Sequence, residues 1–450
     1  MKKKQPGFVS SHSALKINRR HFLGAAAALA LPAFIPARVL GLGDTPAPSN
    51  RINLGVIGCG RMGTSNIEAF LGLADCRIVA ACDVDKNHLN ATVRTINTKY
   101  NSNDCKAYHD FRELMARKDI DAVMLALPDH WHELMAVEAA RQKKDIYGEK
   151  PLAHTVAEQQ AIVKAVAANG RIWQTGSWQR SVANFHKAAE IVRNGLIGTI
   201  KRVEVGLPRD YNGAEKRRQN EMKPVPAPPE LDYDLWLGPS RLMPYVPARM
   251  HRDWRWNYNT GGGQLMDWIG HHCDIAHWGC DFDNSGPSEV QGNGVFPPKG
   301  GVWDAAKTYR IELKYPRGIE MTIGGGQPDI KSGVKWIGTG GWVRVERGIF
   351  ESSNEDWSDW KRVPEELRKV KLYESSEHHR NFLDCVKSRK PTITPAETAH
   401  HSAIPGHLGL ISMLLGGRKL KWDVATEQIL GDDQASKMLT RPFRAPWHLA

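Results

Sequence analysis

Lys150 stands between Glu149 and Pro151, just after the short apolar run Asp145–Tyr147. Asp267 and His271 are four residues apart inside the segment Gly261–His272. A lysine ammonium can donate to a substrate oxygen and stabilise negative charge growing on it. A histidine exchanges protons near neutral pH. Positions four apart share one face of a helix, so Asp267 is expected to orient His271 and favour its protonated form. This trio suits the removal of a proton from a secondary alcohol while a hydride leaves for an acceptor. Each residue alone is weak evidence: a single lysine is usually a surface charge, and an Asp/His pair is often no more than a hydrogen-bonded pair on a helix surface.

An acceptor site is legible further upstream. Gly58-Cys59-Gly60-Arg61-Met62-Gly63 follows the apolar run Ile52–Ile57 and opens a helical pattern. A lone GxGxxG says little, but between a strand and a helix each glycine has a task. The first makes the tight turn, the second lets a pyrophosphate approach the backbone, and the third lets helix pack on strand. Asp83 lies twenty residues beyond Gly63, at the end of the second apolar run. A carboxylate there accepts from ribose hydroxyls and repels a 2′-phosphate, which places NAD ahead of NADP. Arg61 is the nearby group able to neutralise such a phosphate. Val84-Asp85 supplies none.

The elements that must hold these groups alternate. Apolar runs at Ile52–Ile57, Arg77–Cys82, Asp121–Leu127, Asp145–Tyr147 and Arg171–Thr175 are separated by helical stretches, among them Phe111–Arg117, Glu133–Lys143 and Val156–Ala168. This predicts an α/β fold that starts with a Rossmann dinucleotide-binding domain over residues 51–175, its parallel sheet covered on both faces. Ligands of such sheets bind at the carboxyl ends of the strands, so Leu127–His132 and Tyr147–Pro151 should face the acceptor. After residue 176 the pattern changes. A helix at Phe185–Arg193 stops at Asn194-Gly195, a Pro-rich stretch covers Lys223–Pro247, and a glycine-led helix runs to about Trp278. Thr199–Gly206, Thr308–Leu313, Glu320–Ile323 and Trp342–Val345 read as strands, the last three with period-two character. Late helices are expected at Ser376–Ser388 and Pro395–Leu415. Residues 176–450 are thus expected to form a C-terminal α/β domain with an open, mainly antiparallel sheet that binds substrate and a second copy of the chain.

Composition removes other classes. The net charge is +12, but seven of those charges are Lys2, Lys3, Lys4, Lys16, Arg19, Arg20 and Arg38, in a region with no acid. The body is only mildly basic and lacks a basic, aromatic-interleaved run, so no nucleic-acid partner is expected. Residues 1–42 read as a signal and linker. Paired arginines, Phe22-Leu23 and an Ala/Leu stretch resemble a twin-arginine export signal, implying a periplasmic location without stable membrane insertion beyond it. Seven cysteines without a CxxC pair suit a protein exported already folded. Fifteen tryptophans are many; core filling is the commoner use, with sugar stacking the alternative. Asp267, His271 and Asp274 share a helical face but match no recognised zinc spacing, so no metal is expected. Arg180, His186 and Tyr211 are candidates for the substrate pocket, His272 and His277 read as structural, and His378, His379 and Arg380 as polar residues opening a helix.

GCGRMG, Glu149-Lys150-Pro151 and the Asp267/His271 pair together resemble the Gfo/Idh/MocA oxidoreductase family, from about residue 51 to the C-terminus. GGGQLMDWIGHHCDIAHW and the closing RPFRAPW resemble an exported branch of it. The resemblance implies NAD(P)-dependent hydride transfer to or from a secondary alcohol of a sugar, glycoside or cyclitol. It implies Lys150, Asp267 and His271 as catalytic, and Gly58, Gly60, Arg61, Met62, Gly63, Asp83, His132 and Glu149 as contacting or framing the cofactor. Family members differ on whether lysine or histidine takes the proton, and that stays open here. Two other readings remain: a redox-neutral glycosidase working by transient oxidation and elimination, and a non-catalytic sugar- or nucleotide-binding protein.

Overall fold

The apolar runs of the first half assemble into one parallel sheet. The structure, a computed structural model, describes residues 47, 50–209, 211 and 213–449. The export signal read over residues 1–42 lies outside them. Strands β1 (Ile52–Ile57), β2 (Cys76–Cys82), β3 (Lys106–Tyr108), β4 (Ala122–Leu125), β5 (Asp145–Gly148) and β6 (Trp173–Thr175) lie in the order β3-β2-β1-β4-β5-β6. Every neighbouring pair is parallel. β4 and β5 are buried along their whole length, as expected of strands with helices on both faces. The order reverses between β1 and β4, and the glycine turn leaves β1 at that switch point.

The second sheet has nine strands, in the order β13-β12-β11-β7-β10-β9-β8-β14-β15. These are β7 (Ile200–Leu207), β8 (Glu289–Val295), β9 (Thr308–Lys314), β10 (Glu320–Gly325), β11 (Gly333–Gly338), β12 (Trp342–Glu346), β13 (Ile349–Ser352), β14 (Leu420–Asp423) and β15 (Gln428–Ile429). Only β7 and β10 pair in parallel; the other pairs are antiparallel. β9 buries Tyr309, Ile311 and Leu313 and turns Glu312 and Lys314 outward. The inner face packs on the helices Ala183–Arg193, Gly263–Cys280 and Ala396–Leu414. Gly292 of β8 permits one of these contacts: a Cβ there would stand 2.7 Å from the Gly409 carbonyl of the last helix.

No strand after residue 175 joins the first sheet, but later segments return to cover its edge. Thr175 N donates to Thr394 O (2.9 Å), and the Thr392 and Thr394 hydroxyls donate back to Trp173 O and Thr175 O. This segment covers the edge strand β6, which would otherwise present unpaired backbone groups. The helix His378–Ser388 then inserts Phe382 and Leu383 among Phe70 and Tyr147. His378, His379 and Arg380 are therefore more than polar openers of that helix. His378 bridges Ser181 Oγ and Thr175 O, His379 meets Asn66 Oδ1 at 3.0 Å, and Arg380 grips Asp75 through both Nη groups. All seven cysteines are buried and unpaired. Among the described residues, no helix is long and apolar enough to cross a membrane.

Candidate active site

The three glycines of the turn are required for three different reasons. Gly58 has φ +89°, and a Cβ there would lie 2.2 Å from the Ala126 carbonyl. At Gly63 a Cβ would lie 1.9 Å from the Gly58 carbonyl, so close helix–strand packing excludes it. Gly60 is unlike both: a Cβ there would meet no protein atom within 4 Å. The protein itself does not need that glycine, whereas a phosphate lying on the turn would. The helix Arg61–Leu71 begins at Gly60 with no side-chain cap, which leaves its first N–H groups for an anion. Asp83 accepts from Cys59 N (2.7 Å) and Asp85 N (2.8 Å), which fixes its carboxylate beside the turn, and burial pushes its carboxyl up.

Gly58, Gly60 and Asp83 line a cleft of about 830 Å³, which also takes in Arg61, Met62, Glu149, Lys150, Asp267 and His271; Gly63 lies outside its lining. Its size falls in the range of small-molecule and cofactor sites, roughly 300–1,000 Å³. Glu149 is buried, accepts from Asn66 Nδ2 (2.9 Å) and is pushed up by burial. Lys150 follows it and is joined to Pro151 by a cis peptide bond. Lys150 Nζ donates to the Asp267 backbone carbonyl and to Asp267 Oδ1, both at 2.9 Å. An ammonium has three donors, so one N–H is left for a substrate oxygen.

Asp267 is not paired as the sequence suggests. Its carboxylate pairs with Lys150 and with Arg255 Nε at 3.1 Å, and no hydrogen bond joins it to His271. Four-residue spacing brings the two residues to one face, but two cations arriving from elsewhere capture the carboxylate. Despite its burial, Arg255 and Lys150 hold the Asp267 carboxyl well below the usual range. His271 is buried with an unpartnered Nδ1. Burial, together with Lys150 and Arg347, keeps its imidazole well below the ordinary histidine value, so it is neutral at neutral pH. It is framed edge-on by Trp178 and Trp268 at 6.1 and 5.6 Å.

Other expected residues lie elsewhere. His132 does not line the cleft. It bonds to the Pro151 (2.7 Å), Leu152 and Leu127 carbonyls and so braces the loop that carries Lys150. Arg180 is not a pocket group: it is fully buried in ion pairs with Asp274 and Asp283. That pairing also removes Asp274 from the face it would share with Asp267 and His271. Tyr211 is buried and donates to Ala305 O, and His186 packs on Trp278 beside Glu190, both outside the cleft lining. His272 bonds to Gly206 O and His277 to the Tyr315 hydroxyl.

Sequence reasoning missed several contributors. Arg255 and Arg347 line the cleft, and Asp129 lies buried behind it, accepting from Gly262 N at 2.9 Å. Burial raises the Asp129 carboxyl to about 7. Six of the fifteen tryptophans line the cleft: Trp131, Trp178, Trp236, Trp254, Trp256 and Trp268. Their clustering in Trp254-Arg255-Trp256 and Asp267-Trp268 was the available signal. A further contributor is the long segment after β7, which returns to the first domain. Lys86 N donates to Glu230 O, Asp232 N to Val84 O and Trp131 Nε1 to Trp236 O, walling the cleft beyond Asp83. One trio with metal-ligating atoms within 4.8 Å of one another occurs among the described residues, Asp85, His88 and His251. It borders Asp83 in the same cleft, so a ligand reaching Asp83 would compete with it for space.

The residues fit a nicotinamide dinucleotide. Gly58–Gly63 and the helix start would hold its pyrophosphate, Asp83 its ribose, and the Glu149–Lys150 end of the cleft its reacting ring.

Comparisons with known proteins agree with that fit. Residues 52–177 match "Oxidoreductase family, NAD-binding Rossmann fold" and residues 181–449 match "Oxidoreductase family, C-terminal alpha/beta domain". A myo-inositol 2-dehydrogenase of Thermotoga maritima is 30% identical over 182 residues, 40% of this chain and 48% of that protein. A glycosyl hydrolase family 109 protein of Shewanella putrefaciens is 33% identical over 162 residues, 32% of this chain and 35% of its own. The chain thus matches about half or less of the length of these curated relatives. Among solved structures, GenD2 from gentamicin A biosynthesis in complex with NAD shares the fold, with TM-score 0.59, 17% identity, 85% of this chain covered and 99% of that one. With both of its halves matched, the chain belongs to the Gfo/Idh/MocA oxidoreductase family, whose first domain binds NAD.

Proposed function

We propose that the chain is an exported oxidoreductase that moves a hydride between NAD and a secondary alcohol of a sugar, glycoside or cyclitol. The observation that carries this reading is the meeting of Lys150, Asp267 and His271 at one end of the glycine-turn cleft. Bound NAD⁺ supplies the hydride acceptor. In the oxidation direction the alcohol carbon gives up its hydride and its O–H proton, leaving a ketone. His271, neutral and with an unpartnered nitrogen, takes the proton. Lys150 donates its remaining N–H to the same oxygen and stabilises the growing alkoxide. Asp267, itself paired with Arg255, holds that ammonium in place. The cleft tryptophans offer apolar faces to the C–H side of a sugar.

Export would separate the protein from the cytoplasmic NAD pool. The wall built by residues 230–236 supports a cofactor that stays bound and is recycled by a second substrate. A redox-neutral glycosidase is the second reading, favoured by the likeness to the family 109 glycosyl hydrolase. A homo-oligomer on the open face of the nine-stranded sheet would be joined through polar groups such as Glu312 and Lys314.

The test uses protein exported by its own route, denatured so that released nucleotide can be assayed. Stoichiometric NAD(H), with interconversion of sugars and ketosugars on the intact protein, is the expected result. Release of aglycone from a glycoside without net NADH would favour the glycosidase. Nucleotide binding with no redox change on any sugar, cyclitol or glycoside would contradict both readings and leave a binding protein.

A further inference from the structure

Arg347 stands just past the end of β12, exposed at the rim of the cleft. Its guanidinium carbon lies 4.6 Å from the ring centre of Trp178 and 4.6 Å from that of Trp268. The same two indoles frame His271. Nε donates to Gln179 Oε1 at 3.0 Å. Among the described residues, no acceptor takes Nη1 or Nη2. The neighbouring carboxylates are already engaged: Glu346 with His272 at 3.4 Å and with Ser332, Asp267 with Lys150 and Arg255.

A guanidinium presents donors only in its plane. Here two indole rings lie against the guanidinium, the Nε donor is anchored, and the Nη edge is left. That edge is a planar fork matched to the two oxygens of a carboxylate. The two ring contacts and the Nε bond restrain the side chain beforehand, so less rotamer freedom is lost on binding. The cofactor's diphosphate does not account for this cation. Arg61 follows the glycine turn and has Arg252 as a charged neighbour, whereas Arg347 sits beside His271, where the substrate is expected.

We propose that Arg347 is a carboxylate receptor and that the substrate is a sugar acid, a uronate or an aldonate. The carboxylate sits two-pronged on Nη1 and Nη2 and is untouched by the reaction, while a hydroxyl of the same molecule faces Lys150 and His271. The proposal rests on the oxidoreductase reading for the role of that hydroxyl, but not for the binding of the carboxylate.

Calorimetric titration of the NADH-loaded protein, which cannot turn over an alcohol, tests the receptor directly. The probes are methyl β-D-glucuronide, D-gluconate and neutral methyl β-D-glucoside. At least one acid should bind roughly 10–100-fold more tightly than the glucoside, and whichever acid wins separates uronate from aldonate. Arg347→Gln should abolish the preference, and Arg347→Lys, a point charge without the fork, should restore only part of it. Equal or absent binding of acid and neutral probes in the unmodified protein, or a preference that survives in Arg347→Gln, overturns the proposal. Turnover separates it from the reading beneath it. Acids that bind through Arg347 while no acid, neutral sugar, cyclitol or glycoside reduces NAD⁺ leave the receptor standing and remove the oxidoreductase. Neutral sugars that reduce NAD⁺ while acids neither bind nor react do the reverse.

Discussion

The helix Gly263–Cys280 carries two ionic clusters of opposite character, about two turns apart. At Asp274 the donors are all satisfied: Asp274 and Asp283 together surround Arg180, all of its guanidinium nitrogens bond to them, and the arginine is only 2% exposed. At Asp267 they are not. One carboxylate faces Lys150 and Arg255, Arg347 stands nearby without a carboxylate of its own, and His271 keeps an unpartnered nitrogen. Buried polar groups are normally satisfied, so the closed cluster at Asp274 reads as structural. The open cluster at Asp267 has excess positive charge and free donors facing a cleft, as expected where partners arrive with a ligand. On the proposed function, the same helix and the same residue type would serve stability at one site and chemistry at the other.

Breaking the closed cluster should cost stability. Arg180→Met leaves Asp274 and Asp283 without their cation and is expected to lower unfolding free energy by roughly 3–5 kcal/mol. Denaturant titration measures this. NADH affinity of the folded fraction should change little, and an Arg180→Met protein as stable as the parent would erase the contrast between the clusters.

At the open cluster the prediction is a pattern of coupling. Asp267→Asn should lower kcat/KM by roughly 10²-fold, because Lys150 loses its charged anchor. If Asp267 acts through Lys150, adding Asp267→Asn to Lys150→Ala should cost little more, while its effect combined with His271→Ala should be close to the product of the two. The opposite pattern would restore Asp267 as the partner of His271.

The smallest effect concerns Asp129, which joins the β4 loop to the start of the same helix. Its folded pKa of about 7 lies above the unfolded value of 3.8. The folded state therefore binds this proton more tightly, and the stabilisation is full below about pH 4 and lost as pH rises through 7. Relative to Asp129→Asn, the parent protein should lose roughly 1–3 kcal/mol between pH 5 and pH 8. Parallel stability curves for the two proteins would contradict this.

The first domain was legible because its signals are local. β1 coincides with the apolar run Ile52–Ile57, and a strand, a glycine turn and Asp83 follow at short range. Much of the second sheet was not. β8 carries Gly292 and Gly294, so it shows no apolar period, and in the first sheet β3 fails in the same way, being three residues long with Lys106 and Ala107 exposed. Lys150, Asp267 and His271 were found from type and spacing, but the partnership between them was not. Lys150 reaches Asp267 from 117 residues away, and Arg255 enters from a different segment. Arg180 failed as a pocket residue for the same reason: an arginine and its two aspartates carry no mark in sequence that they will be buried together.

Lys150 is held here to serve the chemistry and not the binding of the cofactor. NADH affinity and turnover, measured side by side on Lys150→Ala, test that assignment most directly. The expected result is a folded protein whose NADH dissociation constant stays within roughly threefold of the parent, while kcat falls by roughly 10²–10⁴-fold. A Lys150→Ala protein that turns over at the parental rate, or one whose loss of activity is explained entirely by lost NADH, would contradict it.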